Sequence, residues 1–249
     1  MNYIVMDLEF NQAFNFQDGT DAEAVPECPF EIMQIGLVKL DETFNILEMM
    51  ELNIRPSIYK RIHPFVGKIT GLTHRDLYAD ALSFPQSFDE IRAFIGSSEN
   101  IFAVWGGADV KLLLKNIIYH KLPTSDIPIK FIDVQALASH RLNATTGMSI
   151  GLKTAVTTLG IEQDRPFHNA LSDALYTAQV FDIVRGEETN FEKYIRSVGP
   201  DRPRKRGSDA YDIAALYREC EKLFGRKLTP SYRKIVRKIY EMGHEGRFK

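Results

Sequence analysis

Two acidic residues in an otherwise apolar, strand-like segment near the start of the chain constrain its fold more than any other feature. The apolar run Ile4-Val5-Met6 continues into Asp7-Leu8-Glu9. Side chains two residues apart on a strand lie on the same face of a sheet. Because burying an unpaired charge costs several kcal/mol, the segment predicts one of two arrangements. Either it is a core strand whose acids bind a cation, or it is an edge strand with one face in water.

The hydrophobic pattern over residues 1–185 predicts an α/β domain. Strand patterns at 3–10, 31–40 and 46–54 predict an antiparallel meander, and the polar, acidic residues 12–30 predict a loop. Further strands are predicted at 101–105 and 129–133, and helices at 66–79 with a break at Gly71, 85–96, 108–120, 134–141, 149–159 and 169–185. This order predicts a mixed sheet, with three antiparallel strands followed by parallel strands, flanked by helices.

Charge divides the chain into two parts. Residues 200–249 contain 14 basic and 7 acidic residues, a net charge of +7, whereas residues 1–199 have a net charge of −9. Residues 198–207 are rich in Gly, Pro and charge, which is typical of a linker. We therefore predict a domain at 1–197 and a linker with a basic helical extension at 198–249. The extension is expected to bind phosphates, pack on the domain or bridge a homodimer.

Composition excludes several classes of protein. Two cysteines, Cys28 and Cys220, cannot form a disulfide framework or a zinc cluster. No apolar run approaches the roughly 20 residues that a membrane helix needs. The chain opens on a strand pattern without a basic leader. We therefore expect a cytoplasmic protein that does not enter a membrane.

Three more residues have the chemistry to complete a site with Asp7 and Glu9. Asp109 follows Trp105-Gly-Gly-Ala at a strand-to-helix turn, and His168 precedes a helix that contains Asp173. Taken alone, each has a structural explanation, because Asp is a common helix cap and His often lies at a helix end. A stripe of small residues would let this last helix pack closely on the sheet and bring Asp173 to the strand acids: Ala170, Ala174 and Ala178.

Together these residues have the chemistry of a divalent-metal site. Carboxylates about 4 Å apart repel one another by about 4 kcal/mol per pair at an effective dielectric constant near 20. Oxygen ligands without cysteine favour Mg²⁺ or Mn²⁺. Two such ions can stabilise the attacking and leaving oxygens of a phosphoryl displacement. Neutral His168 can then take a proton from water near pH 7.

Three segments resemble the motifs of the DEDD exonucleases, in the same order. They are Val5-Met-Asp-Leu-Glu-Phe-Asn11, Trp105-Gly-Gly-Ala-Asp109 and His168-Asn-Ala-Leu-Ser-Asp173. The His-x₄-Asp spacing is that of the histidine (DEDDh, DnaQ-like) branch, which includes proofreading subunits, RNase T and ERI-type RNA exonucleases. The connecting segments 31–36, 69–73 and 152–160 are also similar, so the resemblance covers about residues 1–185. The pattern leans toward ERI-like or sporulation-inhibitor-like members.

This resemblance implies an RNase H-like fold and an enzyme that hydrolyses single-stranded RNA or DNA from the 3′ end to nucleoside monophosphates. It implies two divalent cations, Mg²⁺ or Mn²⁺. One is held by Asp7, Glu9 and Asp173, and the second is held by Asp7 with Asp109, directly or through water. His168 is the implied general base.

The resemblance also implies a set of substrate-binding residues. Phe10 and Asn11 would lie near the terminal nucleotide, and Thr70 to Leu72 would face the substrate. Leu72 would either wedge against bases or belong to the core.

Two features depart from the family pattern, and other functions compete with hydrolysis. Asn169 stands where Arg is frequent, and the long acidic loop at 12–30 could narrow the mouth of the site. The main alternative is a non-catalytic module of exonuclease fold that binds nucleic acid or a protein. Another two-metal nuclease or phosphatase, and a purely structural protein, are further alternatives. The presence of all four acids and His168 favours the enzyme.

Overall fold

The computed structural model describes residues 2–79, 81–97, 99–144, 149–186 and 190–198, and in the last 51 residues 216, 217, 220, 221, 227–229, 232, 233, 235 and 236. The chain forms two compact units, Met1–Val198 and Gly199–Lys249. In the second unit, Arg233 pairs with Glu221 at 3.0 Å. The segments predicted to form the linker and the basic extension fall mostly outside the described residues, so the division into domains and the possible homodimer stay predictions.

A mixed sheet forms the centre of the first unit. The strands of the described residues are β1 Tyr3–Gln12, β2 Phe14–Asn15, β3 Thr20–Asp21, β4 Phe30–Leu40, β5 Ile46–Arg55, β6 Leu82–Ser83, β7 Ile101–Val104, β8 Lys130–Asp133 and β9 Ile195–Ser197. Seven of these strands make the sheet, in the order β6-β5-β4-β1-β7-β8-β9. β1, β4 and β5 form the predicted antiparallel meander, and β1 pairs in parallel with β7. β1 therefore has a neighbour on each side, and an edge position for Asp7 and Glu9 is wrong.

Helices flank the sheet, which confirms the predicted α/β class. Those within the described residues are α1 Pro64–Thr70, α2 His74–Tyr78, α3 Phe84–Ile95, α4 Ala108–Tyr119, α5 Val134–Arg141, α6 Leu152–Thr158 and α7 Ala170–Arg185. The predicted break at Gly71 separates α1 from α2, because Gly71 ends α1 with φ 70°. Thr73 and Asp76 then form a capping box that starts α2. No described helix has the length and hydrophobicity needed to cross a membrane.

Alternate residues of β1 face two separate hydrophobic cores. Val5 packs in a core with residues of α5, α6 and α7, whereas Ile4 and Met6 pack on the other face with residues of α3 and α4. Asp7 and Glu9 follow Val5 at two-residue intervals, so they lie on the face that α7 covers. The sheet therefore presents the two acids to the helix that contains Asp173.

The hydrophobic pattern of the sequence did not predict the shortest strands. The predicted loop at 12–30 contains a small antiparallel hairpin formed by β2 and β3. β6 and β9 are two and three residues long. Strands this short show no periodicity, so only pairing with a neighbouring strand identifies them.

Candidate active site

Cross-strand pairing places Asp7 and Glu9 in two rows of side chains. Asp7 pairs with Gly36 of β4, and Glu9 pairs with Gln34. On the far side of β4, Gly36 pairs with Glu51 of β5, and Gln34 pairs with Asn53. Residues directly opposite each other in a sheet point to the same face. Both rows therefore lie under the start of α7.

Gly36 lets α7 lie directly on the sheet. A Cβ atom at this position would be 2.1 Å from the carbonyl carbon of Ala170, the first residue of α7. No side chain fits that space, because the atoms it would meet belong to the backbone. The predicted small-residue stripe is also buried: Ala170, Ala174 and Ala178. This close packing brings Asp173 against the strand that contains Asp7 and Glu9.

Asp109 reaches the same end of the sheet from the opposite side of β1. Val104 at the end of β7 lies beside Met6, so the chain that follows it continues beside Asp7. Gly106 turns the chain with φ 86°, and a Cβ at Gly107 would be 2.7 Å from the Phe131 ring. Asp109 then lies in the first turn of α4. The glycines are therefore needed for the turn that delivers this carboxylate.

His168 and Asp173 are joined at the start of α7. The backbone N–H of His168 donates a hydrogen bond to Oδ2 of Asp173, at 3.0 Å. His168 has φ 64°, a left-handed conformation that is uncommon for a residue with a side chain. Its imidazole is exposed, and one ligand atom each of Glu9, His168 and Asp173 lie within 4.8 Å of one another.

All four carboxyl groups of the candidate site have a raised pKa. Burial raises the pKa of Asp7 well above its ordinary value, and repulsion from Asp109, Asp173 and Glu9 raises it further. Burial, with repulsion from Asp173 and Asp109, raises the pKa of Glu9 to about 7. Burial also raises the pKa of Asp109 to about 7. The pKa of Asp173 is raised by burial, against the opposing effect of the hydrogen bond from His168.

This arrangement fits a divalent cation. Oδ1 of Asp173 is buried and has no hydrogen-bond partner among the described residues. A buried carboxylate oxygen without a partner costs free energy unless a proton or a cation satisfies it. The donors are carboxylate oxygens with one imidazole nearby, which is the donor set of Mg²⁺ or Mn²⁺ rather than of a structural zinc site.

Gln34 and Asn169 hold the start of α7, a role that sequence reasoning missed. Oε1 of Gln34 accepts a hydrogen bond from the backbone N–H of Ala170 at 2.9 Å, and its Nε2 donates to Oδ1 of Asn53 at 2.9 Å. Oδ1 of Asn169 caps α7, and its Nδ2 donates to Oε1 of Glu51 at 2.6 Å. A polar Gln34 within an otherwise apolar strand pattern was the sequence feature that could have indicated this role.

The predicted substrate-binding residues occupy different environments. Phe10 is partly buried, with its ring centroid 5.1 Å from that of Phe30. Asn11 is fully buried and bonded to the backbone of residues 59–63. The Thr70 hydroxyl donates to the Val66 carbonyl and accepts from the Leu72 N–H. Leu72 packs partly buried on a small core cluster. Their contact with substrate stays a prediction.

Solved structures with the same fold include nucleases. A 3′-exonuclease that recognises the 3′ end of a histone mRNA stem-loop matches with TM-score 0.64 and 19% identity, over 81% of this chain and 92% of that one. The nuclease domain of 3′hExo, a DEDDh family member bound to rAMP, matches with TM-score 0.62 and 20% identity, over 80% and 96%. Pop2p of S. pombe, in a form with Mg²⁺ and Mn²⁺, matches with TM-score 0.58 and 20% identity, over 78% and 87%.

A comparison of the sequence with family models identifies the family of this chain. No curated protein gives a match. The family model of the RNase T exonucleases, however, matches residues 4–181, a range that includes Asp7, Glu9, Asp109, His168 and Asp173. The chain therefore belongs to the RNase T exonuclease family, with the RNase H-like fold of the DEDDh-type 3′-exonucleases.

Proposed function

We propose that this protein is a metal-dependent 3′–5′ exonuclease that acts on the 3′ end of single-stranded RNA or DNA. It hydrolyses the terminal phosphodiester bond and releases a nucleoside monophosphate. Family membership supports the reaction class. Ligands in structures of the same fold support the substrate class, because 3′hExo is bound to rAMP and E. coli exonuclease I is bound to a dT13 oligonucleotide.

The observation that carries the proposal is the convergence of four acids beside an exposed histidine. Asp7, Glu9, Asp109 and Asp173 all have raised pKa values. A structural role would favour fewer charges here, because each additional carboxylate makes the metal-free fold less stable near neutral pH. Selection for cation binding explains why four acids occupy one buried site.

Carry-over from the family divides the acids between two cations. Asp7, Glu9 and Asp173 would hold one, and Asp7 with Asp109 would hold the second. When bound, the cations supply positive charge that stabilises the phosphoryl group during in-line displacement. The buried Oδ1 of Asp173, which has no partner among the described residues, is the atom that most needs such a ligand.

In the proposed reaction, His168 acts as the general base. Its exposed imidazole is close to the carboxylates of Glu9 and Asp173. The neutral ring accepts a proton from the attacking water. The hydrogen bond from its backbone N–H to Asp173 holds the residue at the edge of the site.

The first experiment is a time course on 5′-labelled single-stranded RNA and DNA with Mg²⁺ or Mn²⁺, beside Asp7→Ala. We expect a metal-dependent ladder that shortens from the 3′ end and is absent with the variant. The relative rates on the two polymers identify the preferred sugar. Degradation that starts from the 5′ end, or that persists without metal, would contradict the proposal.

The alternative is a module of exonuclease fold that binds nucleic acid or protein without hydrolysis. The observation that supports it is the hairpin Phe14–Asp21, which follows β1 and contains the exposed Asp18 and Asp21. These acids could repel the phosphates of an entering 3′ end and so prevent hydrolysis. Absence of cleavage of either polymer with either metal would favour this alternative.

A further inference from the structure

One segment of the first unit has a charge opposite to that of its surroundings. Residues 56–79 contain four basic residues and one acid, a net charge of +3, whereas residues 1–199 have a net charge of −9. The segment includes α1 and α2. We call its exposed residues Lys60, Arg61, Phe65, Lys68 and Arg75 the basic platform.

Charges on the basic platform are available to a ligand. Within the part of the chain that the structure describes, the side chains of Lys60 and Lys68 form no salt bridge or hydrogen bond. The single acid, Asp76, accepts hydrogen bonds from the backbone and hydroxyl of Thr73. An exposed lysine without a partner can bind a phosphate and release the counterions around it.

Phe65 adds an aromatic face to this basic surface. Its side chain is 62% exposed, more than any other aromatic residue among those described. Removing the apolar surface of an exposed phenylalanine from water lowers the free energy. A nucleobase can cover such a ring by stacking, and this contact tolerates any base because every base has a π face. Exposed aromatic and basic side chains together are typical of surfaces that bind single strands.

Hydrogen bonds of the buried Asn11 side chain attach the segment of the basic platform to β1, the strand that contains Asp7 and Glu9. Nδ2 of Asn11 donates to the carbonyls of Tyr59 and Arg61 at 2.8 and 3.0 Å, and the His63 N–H donates to Oδ1 of Asn11 at 2.9 Å. Asn11 lies two residues beyond Glu9 on β1, about 7 Å along the strand. The platform therefore borders the end of β1 where the catalytic acids lie.

A buried carboxylate holds the backbone of the residues just before Lys60. The Glu31 carboxylate, which is 3% exposed, accepts hydrogen bonds from the backbone N–H groups of Ser57, Ile58 and Tyr59. Stacking also immobilises Arg61, whose guanidinium lies 3.7 Å from the centroid of the Phe16 ring. These contacts fix the platform relative to β1, so a strand bound to it would have a defined path to the site.

We infer that the basic platform binds the part of a single-stranded nucleic acid that lies upstream of its 3′-terminal nucleotide. Phe65 stacks on a base, while Lys60 and Lys68 contact phosphates. The inference rests on the proposed function, because it requires the 3′ end to lie at the acids. Charge complementarity and continuity with β1 favour nucleic acid over a protein ligand.

The first test compares oligonucleotides of different length. Hydrolysis of dT12 and dT3, and of rU12 and rU3, is measured for the full chain and for Phe65→Ala. Loss of one stacked base weakens binding by about 5- to 150-fold, so the KM advantage of the 12-mer over the 3-mer should fall by that factor. Ile118→Ala, which alters a side chain 64% exposed on α4, is the matched control.

The second test measures binding in EDTA and does not need turnover. Anisotropy of labelled dT12 should show a salt dependence whose slope falls by about 0.7 for Lys60→Ala and for Lys68→Ala. Lys130→Ala, an exposed lysine on β8, is the control. Crosslinking to 5-iodouracil in the 12-mer, followed by trypsin digestion, should yield an adduct on the peptide Ile62–Lys68, which contains Phe65.

The two tests separate the platform from the proposed reaction. An adduct on residues 62–68 without any hydrolysis would support nucleic-acid binding by the basic platform and contradict the proposed exonuclease activity. Hydrolysis with equal effects of Phe65→Ala and Ile118→Ala, and with adducts only outside residues 56–79, would overturn the platform. Adducts confined to residues 200–249 would assign binding to the basic extension instead.

Discussion

The backbone N–H of His168 donates to Oδ2 of Asp173 across the start of α7, at 3.0 Å. This bond occupies one carboxylate oxygen and leaves the buried Oδ1 without a partner among the described residues. It also holds His168 at φ 64°, with its imidazole exposed. The proposed base and a proposed metal ligand are therefore positioned by the same helix start, and a change at one should affect the other.

We expect His168→Asn to reduce turnover about 10²- to 10⁴-fold, because the asparagine side chain cannot accept the proton that the imidazole takes from water. Asn tolerates the left-handed conformation, so the backbone bond to Asp173 should persist. Mn²⁺ binding, measured by calorimetry, should change less than about threefold. Asp173→Asn is the control that should lose both turnover and Mn²⁺ affinity. A large loss of Mn²⁺ affinity in His168→Asn would instead identify His168 as a ligand.

We expect the metal-free protein to lose stability as pH rises from about 5 to 8. The folded pKa values of Glu9 and Asp109 are about 7, above their ordinary values of 4.5 and 3.8. Between those limits the folded state binds more protons than the unfolded state, so the free energy of unfolding falls as pH rises. A loss on the order of 2 kcal/mol should appear as a falling Tm in EDTA. Asp109→Asn should flatten this dependence, and an unchanged pH profile would contradict the raised pKa values.

Addition of Mg²⁺ should reverse that loss. Cation binding requires deprotonated carboxylates, so the increase in Tm on adding saturating Mg²⁺ should be larger near pH 8 than near pH 5.5. The same titration on Asp7→Ala should show a much smaller increase at either pH. An equal increase at both pH values would mean that the ion binds away from the four acids.

We expect Gln34→Ala to lower kcat more than it changes KM for a short oligonucleotide. The substitution removes the acceptor of the Ala170 N–H and the donor to Asn53, which are contacts that hold the start of α7. Loss of partners for buried polar groups should cost about 1–3 kcal/mol of unfolding free energy. Gln163→Ala, an exposed glutamine, is the control and should change stability by less than about 0.5 kcal/mol. A Gln34→Ala enzyme with normal kcat and lowered stability would reduce Gln34 to a structural residue.

We expect Gly36→Ala to destabilise the fold by about 3 kcal/mol or more and to abolish Mn²⁺ binding. The added Cβ would overlap backbone atoms of Ala170, so α7 would have to move off the sheet and take Asp173 with it. Gly151→Ala is the control, since φ is −75° there and the nearest neighbouring atom is 3.9 Å away. Normal Mn²⁺ affinity in Gly36→Ala would show that the site tolerates displacement of α7.

Residue spacing was enough to predict which acids form the candidate site and where the longer strands and helices lie. Asp7 and Glu9 stand two apart in a strand pattern, and His168 and Asp173 flank a helix start. Spacing could not locate Gln34 as a residue that holds α7, because its partners Ala170 and Asn53 are distant in sequence. It also could not show that the Asn11 side chain is bonded to the backbone of residues 59–63.

The sequence by itself determined the chemical groups, the order of the longer strands and helices, and the family, because these depend on residue identity and short-range periodicity. Tertiary structure alone decided that β1 is central, since its second neighbour, β7, comes from a distant part of the chain. It also decided which acids repel one another, and therefore their pKa values, because repulsion depends on distance in space. The same reason explains Gly36: the requirement for glycine arises from the backbone of α7, which only packing brings to β4.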